Sequence, residues 1–223
     1  MPNRSTPSIL TPLQRRFLQA AFHNDWFRRH FYLTGGTALS AFYLQHRYSE
    51  DLDFFTHSAA LDGIAPMVAT IAKQLKVSSK ALQTTPGFQR YLLSGDLKLD
   101  FVVETEFRIG TPELIDDFMV DCLKNIAVNK VCTILGRLDV KDYVDLFFLL
   151  TKQPFDIYEL MEHAQQKDGG MDRFIWASLI ADIKTLQIMP RMIAPLTKET
   201  LDHYFLGLRD QILDSINPKT IKK

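Results

Sequence analysis

Apolar residues recur at helical spacing between Thr11 and Arg29, through Leu13, Phe17, Leu18, Ala21 and Phe22. A threonine suited to capping and Pro12 stand at the front, so the pattern predicts one helix over residues 11–29. The short apolar run Phe31-Tyr32-Leu33-Thr34 reads as a strand that ends in Gly35-Gly36, after which helical spacing resumes over residues 37–45. Alternation over residues 51–56 predicts a second strand, with Asp51, Asp53 and Phe55 on one face and Leu52 and Phe54 on the other. A helix over 62–75 precedes three strands, 77–83, 87–93 and 97–103, separated by the turn signals Pro86-Gly87 and Ser94-Gly95-Asp96. After about Pro112 the character changes, and the spacing predicts helices over 123–135, 140–151, 157–166, 173–186 and 198–216.

These elements imply an α/β (α+β) chain. A mixed sheet flanked by helices occupies residues 1–115, and a helical domain occupies residues 116–223. At 223 residues, 46% hydrophobic and 23% charged, the chain is long and apolar enough to bury a core. Its formal net charge of zero argues against attachment to nucleic acid by bulk electrostatics, though not against a local basic patch. Cys122 and Cys132 have no Cys or His partner at metal spacing, and they read as small buried hydrophobes in a reducing compartment. The N-terminal stretch has no apolar core of a secretory leader, and no run approaches the ~18 residues of a membrane span. A cytoplasmic protein without membrane contact is expected.

The candidate chemistry lies in the carboxylates. On a strand, Asp51 and Asp53 project from one face about 7 Å apart at the backbone. Two acids so placed repel unless they are solvated or share a cation. They sit among Leu52, Phe54 and Phe55 in a strand that reads as largely buried, for which Mg²⁺, suited to hard carboxylate and phosphate oxygens, is the economical explanation, while a bare pair of this kind also reads as two exposed acids at a strand end. Asp100 is a third acid alternating with apolar neighbours in the strand 97–103. The turn Gly35-Gly36-Thr37, between a strand and a helix start, is the arrangement in which backbone N–H groups face an anion. Three carboxylates facing such a turn suit metal-assisted displacement on a triphosphate. His46 and His57 flank the acidic pair without a second ligand at metal spacing and are not assigned to metal. On spacing alone, Lys130 also reads as an edge lysine whose stem covers apolar surface. Asp142 and Asp145 equally read as a solvated helix face, and Arg137 as a structural partner of either acid.

Residues 31–55, FYLTGGTALSAFYLQHRYSEDLDFF, resemble the signature of the AbiEii-type nucleotidyltransferase toxins, within the DNA polymerase beta-like nucleotidyltransferase superfamily. The match comprises the Gly-Gly-Thr-Ala-Leu turn and then Arg47, Ser49, Asp51, Leu52, Asp53 and Phe54. A second block, Lys130, Arg137 and Lys141-Asp142-Tyr143-Val144-Asp145-Leu146, is similar to the family's lysine, arginine and acidic helix motif. The resemblance covers roughly residues 30–150 and implies a role for each of these positions. Gly35, Gly36 and Thr37 cradle the triphosphate through backbone N–H groups and a hydroxyl, and Arg47 and Ser49 are further nucleotide-binding residues. Asp51 and Asp53 bind Mg²⁺, or Mn²⁺ in its place. Asp100 completes the set as a ligand or as the base for an acceptor hydroxyl. Lys130 contacts phosphate, and Asp142 or Asp145 orients that lysine or the acceptor.

The expected function is therefore magnesium-dependent transfer of a nucleoside monophosphate from an NTP to an acceptor hydroxyl. The acceptor is RNA, with the 3′ end of transfer RNA as the family's example, or a protein. A cognate antitoxin protein is the expected partner, and the catalytic groups are expected in a cleft between the sheet and helical domains. The alternative is a non-catalytic nucleotide-binding or partner-binding module on the same fold.

Overall fold

A computed structural model describes residues 9–57, 60–104 and 107–217; residues 1–8, within the N-terminal stretch expected to carry no secretory leader, lie outside the described residues. The chain divides into two units, one comprising Met1–Thr105 with Gly110–Cys122 and the other Glu106–Ile109 with Leu123–Lys223.

In the first unit, the helix expected over residues 11–29 is two helices, α1 (Pro12–His23) and α2 (Asp25–His30). Asn24 causes the break. Its backbone is extended, and its side chain accepts from the Phe27 amide, which caps a new helix instead of continuing the old one. At the front of α1, Thr11 and Gln14 form a reciprocal capping box. Strand β1 (Tyr32–Thr34) leads into the one-turn helix α3 (Gly35–Ala38), which continues as a π-helical turn over Leu39–Leu44. That wide turn closes with the Gln45 amide on the Ser40 carbonyl, 3.0 Å, and Gln45 is left-handed. Strand β2 (Leu52–Thr56), a short 3₁₀ turn at Leu61–Gly63 and helix α4 (Ile64–Leu75) follow. The expected meander is present as β3 (Ser79–Thr84), β4 (Phe88–Leu93) and β5 (Leu97–Val103).

Two further strands, β6 (Glu113–Ile115) and β7 (Phe118–Val120), complete a mixed seven-stranded sheet of order β3-β4-β5-β2-β1-β7-β6. Each has three residues, too few for alternation to register, and Asp116 and Asp117 turn between them at positive φ. Strands β2 and β5 run parallel, so the intervening helix and hairpin form a crossover between them. Leu52, Phe54, Leu99 and Phe101 are fully buried beneath the helices. The Phe54 ring lies 5.2 Å from both Phe27 and Phe101 and 6.0 Å from Phe17. Each phenylalanine so enclosed contributes about 1.5–3 kcal/mol, enough to fix which face of β2 and β5 turns inward. The odd-numbered positions of β2 and the even-numbered positions of β5 are consequently displayed on the other, half-buried face.

The second unit is helical: α5 (Leu123–Gly136), α6 (Val140–Lys152), α7 (Ile157–Lys167), α8 (Arg173–Ile180) and α9 (Lys198–Ile216). The helix expected over 173–186 tightens to 3₁₀ geometry at Ala181–Thr185. Trp176 is fully buried and donates its indole N–H to the Val131 carbonyl at 3.0 Å, which ties α8 to α5. Tyr143 and Phe205 meet edge to face at 5.1 Å between α6 and α9. Cys122 is buried and Cys132, expected to be buried too, is half-buried; neither forms a disulfide. Among the described residues no helix is long and apolar enough to cross a membrane.

Candidate active site

The carboxylates of the sheet unit are set by strand register. Asp53 pairs with Asp100 across the parallel β2–β5 ladder, with Thr34 across β1–β2 on one side and Arg90 beyond Asp100 on the other. Arg90, Asp100, Asp53 and Thr34 thus form one row across four strands. Asp51 lies two residues before Asp53 and one before β2 begins, on the same side as Asp53.

Each acid has a defined environment. Asp51 Oδ2 accepts from Lys98 Nζ at 2.9 Å, whereas Asp51 Oδ1 is buried with no hydrogen-bond partner. Asp100 is gripped by both arms of the Arg90 guanidinium, Nε to Oδ1 at 2.7 Å and Nη2 to Oδ2 at 2.5 Å. Those hydrogen bonds and the nearby charges of Asp100, Asp51 and Asp53 raise the Arg90 pKa further, so it stays cationic. Lys98 and Arg90 were not singled out from the sequence. Alternation put Lys98 on the face of Asp100, but only the β2–β5 register aligns it with Asp51.

The glycine turn is built against Asp53. Gly35 has φ +71°, a left-handed conformation, and a methyl group there would run into the Asp53 carboxylate. A methyl at Gly36 would strike the Arg47 guanidinium and lie 3.2 Å from Ser49 Oγ. Arg47, only 2% exposed, donates Nη1 to the Tyr48 carbonyl at 3.0 Å. Arg47 and Ser49 therefore lie beneath the turn and shape it. The buried Thr37 hydroxyl donates to the Asp51 carbonyl, which links the turn to the start of β2. Gln14 Nε2 donates to the Ser49 carbonyl at 2.9 Å, so the capped start of α1 also braces this loop.

Asp121, just after β7, is a buried carboxylate that sequence reading passed over. Its Oδ2 accepts from the Thr34 hydroxyl at 2.7 Å, and its carbonyl accepts from the Tyr43 hydroxyl at 2.8 Å. Two short strands that periodicity could not register carry it there.

In the helical unit, Lys130 on α5 and Asp142 and Asp145 on α6 form one buried cluster. Lys130 Nζ lies 2.8 Å from Asp142 Oδ1 and 2.7 Å from Asp145 Oδ2. Arg137 adds a second cation, with Nε 2.7 Å from Asp142 Oδ2 and Nη2 3.0 Å from Oδ1. Both acids have no exposed surface, and Lys130 is 5% exposed. Burial alone would push the Asp142 carboxyl up, but the charges and hydrogen bonds of Lys130 and Arg137 outweigh it and hold the pKa below the usual carboxylate range.

Among the described residues no three His, Cys, Asp or Glu side chains are gathered to hold a metal by themselves. The donor set at Asp51 and Asp53 nonetheless fits a hard divalent ion in one respect. The orphaned Asp51 Oδ1 is a buried anionic oxygen lacking a donor, in a site where substrate phosphates would supply further oxygens.

The left-handed glycine turn packed on a strand acid, with a second acid two residues before it, is the arrangement expected from the sequence motif of the nucleotidyltransferases. The family model described as nucleotidyl transferase AbiEii toxin, type IV TA system, matches residues 16–214, and the chain belongs to that family. It is 33% identical over 147 residues to the uncharacterized protein aq_aa25 of Aquifex aeolicus (strain VF5), covering 64% of this chain and 68% of that protein. In fold it is similar to JHP933 from Helicobacter pylori, with a TM-score of 0.57, 17% identity, and coverage of 94% and 92% of the two chains. Family membership brings an NTP substrate, a divalent metal and an antitoxin partner.

Proposed function

We propose that this chain transfers a nucleoside monophosphate from a magnesium-bound NTP to an acceptor hydroxyl, on RNA or on a protein, until an antitoxin stops it. The observation that carries the reading is the packing of Gly35 directly on Asp53, beside Asp51 with its unpartnered oxygen.

Asp51 and Asp53 are the residues that would hold Mg²⁺, or Mn²⁺ in its place. A bound ion supplies charge neutralisation for the phosphates and the leaving pyrophosphate. The amides of Gly35, Gly36 and Thr37 orient the triphosphate, the two glycines adding no side chain of their own, while the Thr37 hydroxyl donates to the Asp51 carbonyl. Arg47 and Ser49 keep that turn in shape from beneath. Asp100 lies in the row of Asp53 and is the candidate ligand or base for the acceptor proton; both its oxygens are held by Arg90, so that fork must loosen before Asp100 acts. In the helical unit, Lys130 is the phosphate-contacting cation and Asp142 and Asp145 orient it. Their 2.8 and 2.7 Å contacts fit the orienting role, and the role itself rests on the family motif.

Among acceptors, transfer RNA is the first to test, because the resemblance points to its 3′ end. Purified protein is incubated with each of four NTPs labelled at the α-phosphate, together with total RNA and cell lysate, and the products are separated into RNA and protein. Metal-dependent label on either supports the proposal. Metal-dependent NTP binding with no label on any acceptor would favour a non-catalytic binding module.

A further inference from the structure

Lys98 lies where its charge opposes the ion the site is read to hold. Its ammonium donates to Asp51 Oδ2 at 2.9 Å, from a side chain 44% exposed onto one 31% exposed. The other oxygen of that carboxylate is buried and has no hydrogen-bond partner.

The neighbouring pair on the same face is built differently. Arg90 holds both oxygens of Asp100 in a fork, and its guanidinium lies 5.2 Å over the Phe88 ring. A planar fork stacked on an aromatic ring holds its carboxylate at two points and in one orientation. Lys98 is a point charge on a flexible four-carbon stem, makes one contact to Asp51, and leaves the second oxygen unanswered. Without a cation, Asp51 and Asp53 on one strand face would repel each other and the Asp100 charge beside them.

We propose that Lys98 is the resident counter-cation of the metal position, occupying Asp51 when the site is empty and displaced when a divalent ion takes that carboxylate. This rests on the reading of Asp51 and Asp53 as metal-holding acids. An ion arriving alone meets the repulsion of an ammonium held on the same carboxylate. An ion arriving with a nucleotide brings phosphates that the evicted ammonium can meet. Lys98 thus biases the site toward loading metal and nucleotide together.

The test is calorimetric titration of Mn²⁺ into the full chain without nucleotide, on wild type, Lys98→Met, Lys98→Gln, Lys98→Arg and Asp51→Asn, each checked for fold by circular dichroism. Met keeps the stem without the charge, Gln replaces it with a neutral polar group, and Arg keeps the charge. An exposed ion pair is worth up to about 1 kcal/mol, so Met and Gln are expected to bind Mn²⁺ roughly three- to fivefold more tightly than wild type. Arg is expected to stay at or below wild type, and Asp51→Asn to lose the site. Binding by Met and Gln no tighter than wild type, with Asp51→Asn still losing the site, overturns the role of Lys98. Equal binding by wild type and Asp51→Asn, or none by any protein, instead overturns the underlying reading of the acids.

Discussion

Gly35 has no room for a side chain because the Asp53 carboxylate stands where its Cβ would project. The turn that is to face a triphosphate and the acid that is to face a metal are therefore one packing unit. A methyl at Gly35 adds about 1–2 kcal/mol of left-handed strain and displaces Asp53. Gly35→Ala is expected to lower nucleotidyl transfer by about a hundredfold, as small displacements of reacting groups do, while the melting temperature falls only a few degrees. Gly87→Ala, where a methyl meets nothing within 4 Å, is the control and should leave transfer unchanged.

Lys130 neutralises two carboxylates that have no exposed surface. Removing it leaves Asp145 without that cation and Asp142 with Arg137 as its remaining cationic partner. Lys130→Met is expected to destabilise the fold by about 3–5 kcal/mol in urea unfolding, the usual cost of breaking a buried pair. A loss below about 1 kcal/mol would show that the cluster is less tightly coupled than its distances indicate.

The lowered pKa of Asp142 gives that stability a pH signature. A carboxyl with a depressed folded pKa stabilises the protein above its unfolded value, about 3.9, and loses that contribution as pH falls through the folded value. The stability difference between wild type and Asp142→Asn should be largest near neutral pH and shrink below about pH 4. A difference that grows with acid would contradict the assignment.

Chelation addresses the divalent ion directly. Transfer is expected to stop in excess EDTA and to return on adding Mg²⁺ or Mn²⁺, with the fold unchanged throughout by circular dichroism. Transfer that persists in EDTA would remove the metal from the account.

Much of the candidate site in the sheet unit, and of the buried cluster in the helical unit, was legible in the sequence because the parts of each are local. The glycine turn, the alternation around Asp51 and Asp53, and the spacing of Asp142 and Asp145 are set within a few residues of one another. Arg137 and Lys130 were legible as partners of the α6 acids, whereas the partners within the sheet were not, because they depend on register. Lys98 reaches Asp51 and Arg90 reaches Asp100 through ladders joining segments far apart or newly paired. Asp121 escaped because β6 and β7 are too short to alternate visibly, and the helix break at Asn24 escaped because a single side-chain cap outweighed an unbroken apolar stripe.

The most direct measurement is transfer of label from an α-phosphate-labelled NTP to acceptor by Asp51→Asn compared with wild type. The substitution keeps the shape of the side chain and removes its charge. Transfer is expected to be abolished, while circular dichroism and melting temperature stay near wild type. Label reaching the acceptor at the wild-type rate would contradict it.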